Sequence, residues 1–581
     1  MTNENRNLLL AVVLSALVLF GWSMLSERYL SPPAPPAAQT TQTAASGEAA
    51  VPATASAPMV EGQVPTVAAA APSAAQSLSA ILDATPRVEI RTPRLSGSIN
   101  LQGARIDDLV LRDYRQTVDR DSPPVRLFSP SGTADSEFVG LGWLGLGAPP
   151  ADARWTASAP TLSPGKPVTL RWTSAEGLTF EQMISIDDNF LFTVEQRVLN
   201  GSEAAVALRP YGYVNRTGEG REQGRFNLHV GPLGVLDGSL VERDLDYKKL
   251  REKGPRSYST TGGWLGITQL HWLAALIPDQ KAHIEARFTA APGDRYQVDW
   301  LQPTVTLQPG QAQDTRSHVF AGAKEVALLK QVRDELHAPL FDRALAWGWF
   351  WFLAQPIFSV LEWLYGLLGN YALAIVGLTL IVRTLLFPIA NKQYASMAKM
   401  RVFAPRMKEI QEKYKDDKQK QQTAIMELYR REKINPLAGC LPVILQIPIF
   451  YALYKTLLIA VEIRHQPGFL WIRDLSAPDP LTPLNLFGLI PWDPPGFLHL
   501  GLLPILLGVT MWLQFKLNPQ PMDEMQKKMF AFMPWVFMFM MAPFATGLQI
   551  YWIVNNILSI GQQWVLLRKY PSPASAPSKA G

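Results

Sequence analysis

A single cysteine, Cys440, among 581 residues excludes a disulfide framework and any cysteine-rich metal site. Histidine is almost as scarce, with seven residues and no pair at metal-ligand spacing, so no metal ion is expected. Also missing are a Gly-rich Lys-Ser/Thr loop to cradle phosphates and the strand–turn–helix elbow of a serine nucleophile. No catalytic residue, cofactor, nucleotide consumption or specific small-molecule ligand is expected, and the chain does not read as an enzyme. Charge is low too: 18% of residues, too few for a plain cytosolic protein, while a mean hydropathy of +0.03 is too low for a chain buried throughout in a bilayer. The average therefore hides a mixture. What is plentiful points the same way. Trp 17, Phe 25 and Met 16 supply large apolar side chains, while Pro 47 and Gly 40 mark long non-helical stretches.

The mixture resolves along the chain. After a polar start at 1–7, Leu8–Leu25 is apolar and uncharged and reads as a transmembrane anchor. The residues at its end, Trp22 to Arg28, offer no small-residue cleavage site, which argues against a removed signal peptide. Residues 26–80 form an Ala/Pro-rich tether that cannot bury enough apolar surface to offset its ordering entropy. From 81 to 337 short alternating runs recur, such as Arg87-Val88-Glu89-Ile90-Arg91 and Phe192-Thr193-Val194-Glu195-Gln196-Arg197-Val198, separated by Gly, Pro and Asn clusters. Period-two alternation of this kind predicts antiparallel strands in a large all-β sandwich. Asp187 and Asp188 read as acids of a turn rather than a catalytic pair. Beyond 337 the composition turns apolar. An interfacial amphipathic helix is expected over 340–369, and spans over 371–390, 438–463, 497–517, 529–545 and 548–567. Ala542-Pro543-Phe544-Ala545-Thr546-Gly547 separates the last two.

Charge sets the orientation. Between Lys392 and Pro436, twelve Lys and Arg face six Asp and Glu, a segment of +6 in a chain of +5. A basic loop of this length belongs on the cytoplasmic side. The loop at 464–496 carries more acid than base and suits the outside, whereas Lys516, Lys527, Lys528, Arg568 and Lys569 flank the later spans and place the segments at 518–528 and 568–581 inside. Counting 344–369 as a span would put the basic loop outside, and its Pro356, Glu362 and tryptophans suit a helix lying on the outer face. The expected fold is a multi-domain chain: a polytopic α-helical bundle of six spans with both termini inside, plus a large outer β-sandwich.

Polar residues within the spans are the candidate site. Arg383 costs about +2.5 to +3.5 kcal/mol at a helix centre, which its Leu, Ile, Val and Phe neighbours offset. It either snorkels to lipid phosphates at the inner end or presents a positive charge in a hydrated pocket, and position alone does not decide. Gln446, Gln514, Asn555, Asn556, Gln562 and Gln563 lie on other spans; each alone reads as helix–helix glue, together as the lining of a wet groove. Lys455 receives no role. Within 391–436, Met397, Met400, Phe403, Met407, Ile410 and Tyr414 recur at helical steps, with a second apolar face at Ala424, Ile425, Leu428 and Tyr429. This predicts an antiparallel helical hairpin whose basic face meets anionic lipid, ribosomal RNA or an acidic client segment.

Asn391-Lys392-Gln393-Tyr394-Ala395-Ser396-Met397-Ala398-Lys399-Met400, Lys433-Ile434-Asn435-Pro436-Leu437-Ala438-Gly439-Cys440-Leu441-Pro442 and Gln446-Ile447-Pro448-Ile449-Phe450 resemble the YidC/Oxa/Alb family of membrane protein insertases. The tether and outer sandwich look like the Gram-negative form, by architecture more than by motif. The resemblance implies a five-span insertase core in the bacterial inner membrane, a periplasmic sandwich, and a groove open to cytoplasm and lipid with Arg383 as its positive charge. Thr379 falls where the family places a polar groove residue. On the last span the family commonly has two tyrosines; Tyr551-Trp552 here keeps the aromatic pair without the second phenol. The implied groove is Arg383, Thr379, Gln446, Gln514, Tyr551, Trp552, Asn555 and Asn556, with Lys399, Arg401, Arg406, Lys408 and Lys413 of the hairpin meeting client or ribosome. The implied partners are nascent membrane proteins, the ribosome, the lipid bilayer, and the Sec translocon with its accessory subunits. The implied work is insertion and folding of inner-membrane proteins, alone or with that translocon. Two other classes stay open on residues alone: a secondary transporter, though no inverted repeat is visible, and a membrane-anchored carbohydrate-active protein with its chemistry in the sandwich.

Overall fold

The computed structural model describes residues 64, 77–119, 121–220, 228–415, 417–431, 441–490, 500–517 and 524–569. The expected anchor at 8–25 lies outside them, as do the tether apart from Val64 and its last residues, and the Lys433–Cys440 motif.

Residues 87–323 form two packed β-sheets. One has eleven strands, the other nine. The centre of the first is Val206–Thr217, flanked by Glu137–Gly145 and Arg295–Leu301; the centre of the second is Ala312–Ala323, flanked by Trp272–Pro278 and Leu191–Asn200. These pairings are all antiparallel. Alternation explains the core: on Leu191–Asn200, Phe192, Val194 and Val198 point inward and are buried, while Thr193, Glu195 and Arg197 point out. Trp264, Trp300, Phe180, Phe190, Phe288 and Phe320 fill the space between the sheets. Asp187, in a turn of the second sheet, accepts from the backbone N–H of Asn189 and Leu191 at 2.9 Å each and so shapes the turn.

Short helices bracket the sandwich: α1 (Leu78–Asp83), α2 (Tyr247–Lys253) and α3 (Val326–Glu335). Beyond α3 the described chain is helical: α4 (Trp351–Leu368), α5 (Tyr371–Lys413), α6 (Lys418–Arg431), α7 (Leu441–Ile459), α8 (Leu502–Leu517), α9 (Glu524–Met541) and α10 (Thr546–Lys569). By length and composition α4 and the Tyr371–Asn391 part of α5 are long and apolar enough to cross a membrane; the apolar parts of α7, α8 and α9 are shorter. The α4–α5 corner is cut by Gly369, whose φ of +66° is left-handed and closes α4, and by Asn370, whose side chain accepts from the N–H groups of Ala372 and Leu373 to open α5. The expected boundary at 390 falls inside α5, which runs 43 residues through Pro388 and Pro405. A proline removes one backbone N–H, and the remaining ladder carries the helix across it. The hairpin is therefore the second half of α5 folded against α6, with Met407 buried and Gln421 Nε2 donating to the Gln411 carbonyl at 2.9 Å.

Sandwich and bundle meet through α3 and the turn after α7. Glu462 accepts from the Val326 N–H at 2.7 Å. Arg464 donates to the carbonyls of Arg115 and Gln116 at 2.8 and 3.1 Å, and its guanidinium lies 5.4 Å from the centre of the Trp272 ring.

Candidate functional site

Arg383 lies on the face of α5 that packs against α10. Its Nε donates to Asn555 Oδ1 at 2.7 Å; its terminal nitrogen donates to the Asn555 carbonyl at 3.1 Å and to the Ser559 hydroxyl. Asn555 and Ser559 are one turn apart, so they share a face of α10. Ser559 in turn donates to the Asn555 carbonyl at 2.6 Å, the usual back-bond of a helical serine. The guanidinium is half-buried, whereas Asn555 and Ser559 are buried. These three acceptors are neutral oxygens, so the bonds to them do not themselves cancel the charge.

One turn further out, Gln446 of α7 donates from Nε2 to the Tyr551 phenol of α10. Tyr551 is fully buried. Trp552, its neighbour, faces elsewhere: it packs edge-on between Phe450 of α7 and Phe537 of α9, at 5.4 and 5.1 Å between ring centres, and its Nε1 has no hydrogen-bond partner. Asn556 also turns from Arg383 and donates to Thr510 Oγ1 of α8 at 3.1 Å. Gln514 is half-buried on α8. Thr379 is fully buried, with its hydroxyl donated back to the Ile375 carbonyl at 2.7 Å within α5. The structure thus joins Arg383 to Asn555 and Gln446 to Tyr551, and ties α10 to α8 through Asn556. Thr379 and Trp552 make no described polar bond to that set.

Ser559 was not singled out from sequence. The signal for it was present, since Asn555 and Ser559 stand four apart in a helix opposite an arginine. Lys455 is fully buried on α7, close to Gly348. On the hairpin, Arg406 and Lys413 are exposed, and Lys413 stands 5.4 Å over the Tyr414 ring. Lys399, Arg401 and Lys408 fall on α5, their side chains outside the described residues. Among the described residues no group of His, Cys, Asp and Glu has metal-holding geometry.

Among the described residues, a bundle of apolar helices with an arginine bridged across two of them follows a twenty-strand sandwich, which defines a class: a helical bundle with a large β-domain. The family model of the YidC periplasmic domain matches residues 87–360, and that of the 60Kd inner membrane protein matches residues 363–573. The membrane protein insertase YidC of Zymomonas mobilis is 41% identical over 100% of this chain and 98% of its own length. That of Methylobacterium nodulans is 44% identical, covering 98% of this chain and 96% of the relative. A crystal structure of an active YidC insertase with its first transmembrane domain resolved aligns over 84% of this chain and 97% of its own, at 18% identity and a TM-score of 0.37. The chain belongs to the YidC family of membrane protein insertases. With the family come an inner-membrane location and a periplasmic assignment for the sandwich.

Proposed function

We propose that the chain inserts nascent membrane proteins into the inner membrane and assists their folding, through a polar groove built around Arg383. The observation that carries this reading is the Arg383 bridge to Asn555 and Ser559: a half-buried guanidinium held between two apolar helices by neutral oxygens. A polar, acidic tail of a client entering from the cytoplasm is attracted to that charge in a medium of reduced dielectric. The client's own apolar segment then partitions into lipid beside α7 and α10, which supplies the free energy. No covalent step is involved, and Arg383 is a transient counter-charge rather than an enzyme's catalytic group.

In this reading the groove is lined by Arg383, Gln446, Gln514, Tyr551, Asn555 and Asn556, with Thr379 and Trp552 packing its walls. The chain crosses the membrane six times with both termini in the cytoplasm, and α4 lies on the outer face because the basic hairpin must be inside. The exposed Arg406 and Lys413, with Lys399, Arg401 and Lys408, give the hairpin a cationic surface for the ribosome or a client. Action beside the Sec translocon belongs to the same proposal.

Insertion of a client with an acidic tail tests the reading in Arg383→Ala and Arg383→Lys. Loss of one charge-assisted contact of about 1.5–3 kcal/mol predicts at least a tenfold fall in insertion for Ala. Lys keeps most of the activity if charge rather than the guanidinium fork is used. Normal insertion by the Ala variant overturns the role of the charge.

A further inference from the structure

The tether holds few large apolar residues: between Ser31 and Ser77 they are Val51, Met59, Val60, Val64 and Val67, four of the five within nine residues. Val64 is only 1% exposed, and it is packed not in the sandwich core but in a separate small cluster with Phe138, Tyr211, Tyr213 and Leu301. Those four residues come from the three central strands of the eleven-stranded sheet, Glu137–Gly145, Val206–Thr217 and Arg295–Leu301. Their neighbours along each strand, Val139, Leu141, Val214, Val298 and Trp300, belong to the inter-sheet core. Alternation therefore puts Val64 on the outward face of that sheet.

The face is built to be flat. Tyr213 pairs with Gly140 and Tyr211 with Gly142. A Cβ on Gly140 would come within 2.6 Å of the Tyr213 ring, and one on Gly142 within 2.8 Å of the Tyr211 hydroxyl. The absence of both side chains lets the rings lie down on the strand, stacked on each other at 6.1 Å and 20°. Phe138 closes one side edge-on to Tyr213 at 6.1 Å, with the Arg105 guanidinium 5.5 Å from its ring centre. Burial also pushes the Tyr211 and Tyr213 phenols up from their ordinary value, so both stay neutral. The next residue in the sequence is Pro65, and a proline favours extended backbone in the residue before it.

We propose that this aromatic face is the docking site of the tether itself, with Val64 as its resident occupant. The chain ahead of the sandwich then has a fixed point at Val64, with thirteen residues between it and Leu78, the first residue of α1. This does not depend on the insertase reading.

The test uses the full-length chain in vesicles with its one cysteine removed by Cys440→Ser. Maleimide labelling at Val64→Cys is compared with Thr41→Cys in the same tether, and labelling at Leu301→Cys is compared with and without Val64→Asp. Val64→Asp alters only the tether and leaves the sandwich intact. Docking predicts labelling at position 64 at least about tenfold slower than at 41, and at position 301 several-fold faster once Val64→Asp is present. Equal rates at 64 and 41 overturn the proposal. So does slow labelling at 64 with no response at 301, because the valine is then buried against something else.

Discussion

Thr379 sits one turn from Arg383, but its described hydrogen bond is the hydroxyl donated to the Ile375 carbonyl of its own helix. Its isosteric loss should therefore be mild. Thr379→Val is expected to insert an acidic-tailed client within about twofold of the parent, since the described loss is a back-bond within one helix. Insertion as poor as that of Arg383→Ala would mean that the hydroxyl is exchanged onto the client. The contrast also shows what a residue's type leaves undetermined. Arg383 and Asn555 stand out in the sequence because a charged or amide group in an apolar helix demands partners, whereas Tyr551 enters only through the family resemblance. Ser559 was passed over because a serine in a helix satisfies itself, and it does so here while also accepting from Arg383. Trp552 shares its neighbour's sequence position in the groove motif, but 100° of helical turn sends it into the packing between α7 and α9.

Element α3 has an exposed problem at its start. Its N-cap residue, Glu325, makes no side-chain cap, because that carboxylate is taken by Arg94 and by the Tyr114 hydroxyl, which donates to it at 2.6 Å. Burial and the Glu325 charge push the Tyr114 phenol well above its ordinary value, so it remains a donor. The Val326 N–H is met instead by Glu462, from the turn after α7. A cap from a distant element makes the helix N-terminus a clasp between sandwich and bundle. Glu462→Ala is expected to cost about 1–2 kcal/mol, the loss of a carboxyl cap, and Arg464→Ala a similar amount through two carbonyl contacts and the Trp272 face. Proteolysis of the full-length protein within 337–350 reads this as faster cleavage in both variants; unchanged cleavage would mean that apolar packing such as Trp264 on Phe341 holds the joint alone. The strands of the sandwich were readable from alternation, since one buried face is a local property. This clasp was not, for a glutamate at a helix end looks the same whether it faces water or caps a helix more than a hundred residues away.

Across the molecule, the sandwich buries titratable groups that prefer to be neutral, and this sets how it responds to acid. Burial pushes the carboxyls of Glu137, Asp107 and Asp299 up from their ordinary values, although Arg216, Arg87 and Arg287 beside them pull the other way. Burial, helped by the Arg316 charge in the case of His318, holds His318 and His229 below the usual 6.5. His318 lies on the central strand of the nine-stranded sheet, bonded to Thr193 Oγ1 at 3.0 Å. Its folded form takes up a proton only below the point where the unfolded form does. The stability it supports is thus fully present above about pH 6.5 and declines as pH falls from there toward the lower folded value, where the slope ends. The carboxyls act with opposite sign: their raised folded values mean that stability is lost as pH rises from the ordinary carboxylate range to those values, so they do not add to a loss on mild acidification. The slope is at most about 1.4 kcal/mol per pH unit, reduced by the solvent that reaches a half-buried ring. Hydrogen exchange in peptides covering Leu191–Asn200 and Ala312–Ala323 should therefore quicken between pH 7.5 and 5.5 after correction for intrinsic rates. His318→Gln, which keeps a hydrogen-bonding group beside Thr193 and cannot charge, should flatten that dependence while the Tyr371–Asn391 helix is unaffected. An equal pH response in parent and variant would place the acid sensitivity elsewhere, with His229 the next group to replace.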